Sequence, residues 1–178
     1  MSFRIPLISY EPKADDKIFL DTNIWLYLFC PIGNYKNEII DQYSTVFYKI
    51  LKSGCRIYTT SLVISEFFNT YCRIDFRIKN KENPIKYKVY KSDFRNTEEF
   101  NILAEDICDI INNKIFKYAQ RLDDNFNNVD MSKILIADKN FDFNDKYFAQ
   151  LCEDNNIKVI TNDKDFLKLS NKVEVITN

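Results

Sequence analysis

The segment that decides the fold is KIFLDTNIWL, residues 17–26. Its first four residues form a short apolar run that is typical of a buried strand, and Asp21, Thr22 and Asn23 follow directly. In parallel sheets, ligands bind beyond the carboxyl ends of the strands. The segment therefore predicts a strand that delivers the Asp21 carboxylate to such an edge.

Strands and helices alternate through much of the rest of the chain. A helical pattern ends at Gly54, a second strand is predicted at residues 56–59, and further strands are predicted at 157–160 and 173–176. This alternation is typical of a parallel sheet that is covered on both faces. We expect an α/β fold with three α/β/α layers, a central, mainly parallel sheet of four to five strands, and a helical insertion in the middle of the chain.

Two absences restrict the chemistry. Histidine does not occur in the 178 residues, and Gly33 and Gly54 are the only glycines. These absences exclude a Ser-His-Asp triad, a histidine base, histidine-ligated zinc, a P-loop and a dinucleotide-binding glycine motif. Catalysis would therefore depend mainly on the 26 Asp and Glu residues.

Charge and localisation signals set milder limits. The net charge of −1 gives no global attraction to nucleic acid, so such binding would need a local basic patch. The five cysteines form no Cys-x-x-Cys pair, which argues against structural zinc. A signal-peptide pattern and an apolar run of about 18 residues are both missing. We expect a soluble, cytoplasmic protein with no membrane contact.

Four carboxylates are expected to meet at one edge of the sheet. Asp21 and Asp163 follow predicted strands, whereas Glu66 and Asp145 lie near the starts of predicted helices, the latter after a candidate cap at Asn144. Two carboxylates about 4 Å apart repel by roughly 4 kcal/mol at an effective dielectric constant near 20. Such a cluster takes up protons or binds cations, and oxygen ligands alone suit Mg²⁺ or Mn²⁺.

The residues in these positions resemble a known family. KIFLDTNIWL at 17–26, SLVISE at 61–66 and IKVITNDKDF at 157–166 are similar to the motifs of PIN domains, the PilT N-terminus nucleases that include prokaryotic toxin ribonucleases. We expect one PIN-like domain over residues 1–178. Residues 17–75 and 140–178 match the family pattern, and 76–139 contain a basic segment and the helical insertion.

The resemblance assigns roles to individual residues. It implies that the catalytic, metal-binding acids, which hold Mg²⁺ or Mn²⁺, are Asp21, Glu66, Asp145 and Asp163. It implies supporting roles for Asn23 and Thr161, and an alternate or supporting role for Asp165. Asp138 and Asp142 crowd the third acidic position, where the spacing to Asp163 favours Asp145.

The middle of the chain offers two further candidate surfaces. A basic segment, residues 77–91, interleaves tyrosines with cations and is interpreted either as an RNA-backbone clamp or as a solvated loop. Its candidate RNA contacts are Arg77, Lys79, Lys86, Lys88 and Lys91. An apolar helical stripe from Phe100 to Tyr118 is expected to be core, with docking of a partner as the alternative.

The leading functional prediction is a metal-dependent endoribonuclease that hydrolyses RNA phosphodiester bonds with a metal-activated water. As the toxin of a toxin–antitoxin pair it would have RNA as substrate, and its candidate partners are a cognate antitoxin and a second copy of the chain in a homodimer. The alternative is a catalytically degenerate PIN domain that binds nucleic acid or protein. A haloacid-dehalogenase-like phosphatase is disfavoured because its second acid would stand at Asn23.

Overall fold

The computed structural model describes residues 3–139, 141–164, 166–169 and 173–178. Within these ranges, six parallel strands form one sheet in the order β1-β6-β5-β2-β3-β4. The strands are β1 Phe3–Pro6, β2 Lys17–Leu20, β3 Arg56–Thr59, β4 Ala119–Arg121, β5 Lys158–Ile160 and β6 Glu174–Thr177. The central position of β2 brings the end of the KIFL run between the ends of β5 and β3.

The helices pack in two groups. Their bounds are α1 Thr22–Phe29, α2 Asn37–Ser53, α3 Ser61–Glu82, α4 Glu98–Ile110, α5 Phe116–Tyr118, α6 Met131–Ile134, α7 Phe143–Asn155 and α8 Phe166–Leu169. Helix α1 contacts α2 and α3, and α3 contacts α4, whereas α7 contacts α6 and α8. Right-handed crossovers explain the division, because the chain runs from β2 towards β4 in one direction and then returns past β2 to β5 and β6. The expected three-layer α/β/α fold is confirmed.

The core lies around β2, whose Ile18, Phe19 and Leu20 are all buried. A parallel strand covered on both faces needs such a continuous apolar run. Trp25 of α1 and Phe148 of α7 are also buried, and the Phe19 and Phe148 rings lie 5.1 Å apart. The two helical layers therefore close over the same strand that carries Asp21.

The sheet is larger than predicted, because two edge strands were missed. Strand β1 lies ahead of the KIFL run and pairs with β6, and β4 follows the long apolar stripe and pairs with β3. An edge strand is paired on one side only and need not have a continuous apolar pattern. The sequences FRIP and AQR of β1 and β4 accordingly gave no signal.

The middle of the chain is more regular than expected. Helix α3 continues through the first half of the basic segment, and Tyr90–Phe94 and Ile111–Ile115 form π-helical turns. The stripe expected to be core is confirmed as core, with Phe100, Ile107 and Ile115 buried. Buried residues of this kind belong to the packing of α4 against α3 rather than to an exposed docking face.

At the edge opposite the carboxyl ends, one lysine ties three segments together. Lys158 Nζ lies 2.9 Å from Asp16 Oδ1 and 2.9 Å from Glu174 Oε2. The Asp16 carboxylate also accepts from the Tyr10 hydroxyl at 2.7 Å. This cluster joins β5 and β6 to the chain just ahead of β2, and it fixes the starting points of the strands that carry the site.

Candidate active site

The four sequence-selected acids lie beyond the carboxyl ends of the three central strands or at the start of α7. Asp21 is the first residue after β2 and caps the N-terminus of α1. Glu66 lies in the second turn of α3, which follows β3, and Asp163 comes three residues after β5. Because β5, β2 and β3 are adjacent and parallel, these carboxylates share one edge of the sheet.

The Asp21 carboxylate accepts three hydrogen bonds. Its backbone N–H donates to the Ile160 carbonyl at 3.1 Å, which keeps the ends of β2 and β5 together. Its Oδ1 accepts from the Thr22 backbone N–H at 2.6 Å, whereas Oδ2 accepts from Asn23 Nδ2 at 2.5 Å and from Thr161 Oγ1 at 2.7 Å. Three donors therefore hold the carboxylate in one orientation.

Thr161 links two of the acids. Its buried Oγ1 accepts from Asn23 Nδ2 at 3.1 Å and from the Asp163 backbone N–H at 2.9 Å, so its single proton is directed to Asp21. Asn23 Oδ1 accepts in turn from the Asn162 backbone N–H at 3.3 Å. The structure thus brings Asn23 and Thr161 into direct contact with Asp21, and Thr161 also orders the backbone at Asp163.

Glu66 is held by residues from two other helices. Its Oε2 accepts from Thr22 Oγ1 at 2.5 Å, and its Oε1 accepts from Asn144 Nδ2. The role of Thr22 was not predicted, and Asn144 was expected only as a helix cap. The sequence offered one signal for these two residues: Thr22 follows Asp21, and Asn144 precedes Asp145. The side chain of a residue next to a site residue often lies in the same site.

Asp145 lies in the first turn of α7 and forms a reciprocal cap with Asp142. The Asp145 backbone N–H donates to Asp142 Oδ1 at 3.0 Å, and the Asp142 N–H donates to Asp145 Oδ2 at 3.4 Å. The expectation that Asn144 caps a helix starting at Asp145 is therefore wrong, because the helix starts at Phe143 and Asp142 is its cap. The positive end of the helix dipole stabilises a carboxylate at the start of a helix.

Electrostatics show that the acids lie within each other's fields. Burial raises the pKa of Asp21 to about 6; the hydrogen bonds from Thr161 and Thr22 oppose this shift, and the Glu66 and Asp145 carboxylates add to it. Burial, followed by repulsion from Asp142, raises the pKa of Asp145 to about 6. Its backbone hydrogen bond with Asp142 opposes the rise, and the Asp163 and Glu66 carboxylates add to it. The edge therefore carries excess negative charge that is partly removed from water.

The donor set suits a hard divalent cation. Carboxylate, hydroxyl and amide oxygens converge on this edge, and such ligands favour Mg²⁺ or Mn²⁺ over zinc or copper. As they stand, no three Asp, Glu or Cys side chains in the described ranges are arranged to hold a metal ion. The carboxylates of Asp21, Glu66 and Asp145 instead take hydrogen bonds from their own neighbours. A cation would be held there in place of some of those donors.

The acids considered in the sequence also include Asp163, Asp165 and Asp138. Asp163 is exposed, and its backbone is bonded to Thr161. Asp165, selected from the sequence as an alternate acid, lies outside the described residues. Asp138 is exposed in the segment between α6 and α7.

The part of the basic segment that belongs to α3 lies away from the acids. Arg77 and Lys79 follow Glu66 on the same helix by three or more turns, which corresponds to about 16–20 Å along the axis. Lys86 pairs with Glu99 at 2.6 Å, and Lys88 and Lys91 are exposed.

The tyrosines of the basic segment are turned into the fold. Tyr87 is buried, and the Tyr90 ring packs 5.3 Å from the Phe76 ring and 5.8 Å from the Phe94 ring. These rings stabilise the segment rather than project from it.

The comparison with known families agrees with the fold and with the motif order. The family model of the PIN domain matches residues 18–172, and this chain belongs to the PIN domain family. The resemblance inferred from the sequence motifs is thereby confirmed. PIN domains are generally nucleases and typically use divalent metal ions.

Two other findings complete the comparison. A search of the curated proteins finds no match to this chain. In the described part of the chain, none of the helices has the length and apolar character needed to cross a membrane.

Proposed function

We propose that this PIN domain is an Mg²⁺- or Mn²⁺-dependent endoribonuclease whose cation is held by Asp21, Glu66, Asp145 and Asp163. The observation that carries the proposal is that Thr22 donates to both Asp21 and Glu66, and Asn144, next to Asp145, donates to Glu66. Burial and like charge at this edge raise the pKa of both Asp21 and Asp145 to about 6. A structural ion pair would instead place a cationic side chain against each acid. Negative charge concentrated at a cleft edge suits cation binding.

The cation and the protein would have different roles in the reaction. A bound divalent ion would offset charge on a phosphodiester and lower the pKa of water. The chain supplies orientation: Thr161 and Asn23 hold Asp21, while Thr22 and Asn144 hold Glu66. Carboxylates that are already oriented need little rearrangement during reaction. RNA as the substrate rests on the resemblance of the motifs at 17–26 and 157–166 to the ribonuclease members of the family.

Cleavage assays test this proposal. The purified chain should cut a mixed pool of fluorescent single-stranded RNA when Mg²⁺ or Mn²⁺ is present and not in chelator. Asp21→Asn and Asp145→Asn should each abolish cleavage, whereas Asp154→Asn, a matched exposed acid on α7, should not. Cleavage that survives both site substitutions would show that the assigned acids are not the catalytic ones.

A binding module without catalysis is the second candidate. The observation that favours it is that both Glu66 oxygens already accept hydrogen bonds from Thr22 and Asn144. In that case RNA would bind equally well with and without divalent ions, and no cleavage would occur at any metal concentration. Metal-dependent cleavage excludes this candidate.

The biological role is also a proposal. Resemblance to toxin ribonucleases supports a cytoplasmic toxin that is neutralised by a cognate antitoxin, with a homodimer as the assembled form. Induced expression should then arrest growth in a way that Asp21→Asn relieves. A small adjacent gene whose product binds the chain and restores growth would identify the antitoxin; normal growth on induction would contradict a toxin role.

A further inference from the structure

Three aromatic rings stack beside the acids. The Phe143 and Tyr147 ring centroids are 5.7 Å apart at an interplanar angle of 23°, and the Tyr147 and Phe126 centroids are 6.3 Å apart at 29°. Tyr147 is 1% exposed, whereas Phe143 is 39% and Phe126 is 59% exposed. The buried Tyr147 ring therefore contacts two phenylalanines, each of which leaves part of its surface exposed to solvent.

The stack is held in place by hydrogen bonds to the segment after β4. The Tyr147 hydroxyl donates to the Asp124 carbonyl, two residues ahead of Phe126. Ser61, the first residue of α3, donates its hydroxyl proton to the Asp124 carboxylate. Hydrogen bonds thus connect the segment that carries Phe126 to both α3 and α7. These bonds fix the position of that segment without a bound ligand.

The stack begins at the acid cluster itself. Phe143 is the first residue of α7, and the next two residues are Asn144, which donates to Glu66, and Asp145. Phe143 therefore lies one residue from the side chain that contacts Glu66, at the end of α7 that carries Asp145. Large aromatic side chains left in water lose the stabilisation that burial would give them, so their exposure beside a charged site indicates a binding surface.

We propose that Phe143 and Phe126 are base-stacking residues for a single-stranded nucleic acid whose backbone passes over the acids. This proposal rests on the proposed nuclease function and identifies two residues that would contact its substrate. Unpaired bases offer free faces to aromatic rings, whereas bases in a duplex stack on one another. Ring–base stacking tolerates any base, so the surface selects strandedness rather than sequence.

The test measures RNA affinity in Mg²⁺, with Asp145→Asn as the common background of parent and variants so that cleavage does not interfere. The probe is a fluorescently labelled single-stranded RNA of mixed sequence, and binding is followed by fluorescence anisotropy. Phe126→Leu and Phe143→Leu keep an apolar side chain but remove the flat ring, and each should weaken binding roughly 5- to 150-fold. Leu135→Ala is the matched control, since Leu135 is 69% exposed and is not part of the stack.

Two additional measurements distinguish the loss of ring–base stacking from a loss of folding. Phe126→Trp keeps a flat ring and should bind as tightly as the parent. RNA carrying abasic sites should bind parent and leucine variants equally, because the missing bases remove what the rings contact. Phe126 is the more exposed of the two rings, so its variants keep the test valid if Phe143→Leu fails to fold.

The outcomes are distinct. Unchanged affinity in both leucine variants, or equal affinity of the parent for duplex and single strand, overturns the stacking role even if the chain with Asp145 intact cleaves RNA. Both proposals are overturned together if the parent does not bind RNA and the chain with Asp145 intact does not cleave it. Leucine variants that dissociate a dimer in light scattering, with RNA affinity unchanged, would assign the surface to a second copy of the chain and overturn the proposal.

Discussion

The Thr161 hydroxyl donates to Asp21 Oδ2 at 2.7 Å, so the residue that follows β5 orients the residue that follows β2. Thr161 is fully buried and accepts two further hydrogen bonds, from Asn23 and from the Asp163 backbone. The one donor and both acceptor positions of this hydroxyl are therefore used within the site. Replacing it affects two acids at once.

Thr161→Val should lower RNA cleavage roughly 10–100-fold, the usual loss when the partner of a metal-binding side chain is removed. It should also lower the free energy of unfolding by about 1–3 kcal/mol, because the Asn23 and Asp163 donors lose their acceptor. Single-turnover cleavage and urea unfolding measure the two effects. Thr161→Ser keeps the hydroxyl and serves as control; equal activity of the valine and serine variants would contradict the role.

The stability of metal-free protein should fall as pH rises through the range in which Asp21 ionises. The Asp21 pKa is about 6 in the folded protein against an ordinary value of 3.8. The unfolded chain therefore releases this proton first, and the folded state loses stability between about pH 4 and 6. Below pH 4 the effect vanishes, and above pH 7 it reaches its maximum, on the order of 2–3 kcal/mol.

The measurement compares parent and Asp21→Asn by urea unfolding in chelator between pH 4 and 7.5. The variant has no charge to desolvate, so its stability relative to the parent should rise with pH and level off near neutrality. Asp154→Asn should give a difference that stays flat. A flat difference for Asp21→Asn as well would show that burial does not disfavour the ionised Asp21.

Divalent cations should stabilise the protein by mass action. A ligand at about 100 times its dissociation constant adds roughly 2.7 kcal/mol, which raises the melting temperature of a chain of this length by several degrees. Melting in millimolar Mg²⁺ or Mn²⁺ should show this rise, and chelator should reverse it. The rise should be smaller in Asp21→Asn and in Asp145→Asn. A parent protein that melts at the same temperature with and without metal would contradict the site.

Asn144→Asp should destabilise the metal-free protein by about 1–2 kcal/mol at pH 7. The substitution exchanges the donor on Glu66 Oε1 for a carboxylate, and like charges in contact repel. Acidification to pH 4 or added Mg²⁺ should remove most of the penalty. Asn144→Ala removes the hydrogen bond without adding charge. Its loss of stability relative to the parent should therefore not decrease with acid or with metal. Identical behaviour of the two variants would place Asn144 outside the field of Glu66.

The basic segment should act on long RNA only. Its first cations, Arg77 and Lys79, lie about 16–20 Å along α3 from Glu66, a distance that a dinucleotide does not span. Arg77→Glu should weaken the binding of long RNA and reduce its salt dependence, while a dinucleotide binds as before. Lys114→Glu, at an exposed lysine outside the segment, is the control. An unchanged salt dependence with long RNA would leave the segment as a solvated surface.

The central site was largely predictable because its determinants are local. The apolar run of β2 predicts a strand, Asp21 directly follows it, and parallel pairing with β5 explains the contact between Asp21 and Thr161. The contacts on Glu66 were not predictable in the same way. They join residues 44 and 78 positions apart and depend on side-chain orientation, which periodicity does not encode.

The errors have equally local causes. Asp142 and Asn144 are both good helix caps two residues apart, and only the backbone geometry selects Asp142. The edge strands β1 and β4 have little apolar pattern, since pairing with one neighbour suffices to place them. Tyrosines between lysines suggested exposed rings, but Tyr87 and Tyr90 pack into an aromatic cluster that no spacing rule predicts.

The parallel pairing of β1 with β6 also determines how the molecule can be handled. Phe3 pairs with Glu174 and Pro6 with Thr177, so the two strands run the same way at the margin of the sheet. Strand β1 therefore starts at the edge opposite the acids, whereas β6 ends at the edge that carries them. A surface tether or affinity label joined ahead of β1 would leave the acids facing free solution, while one joined after β6 would lie at the edge of the sheet that carries the acids.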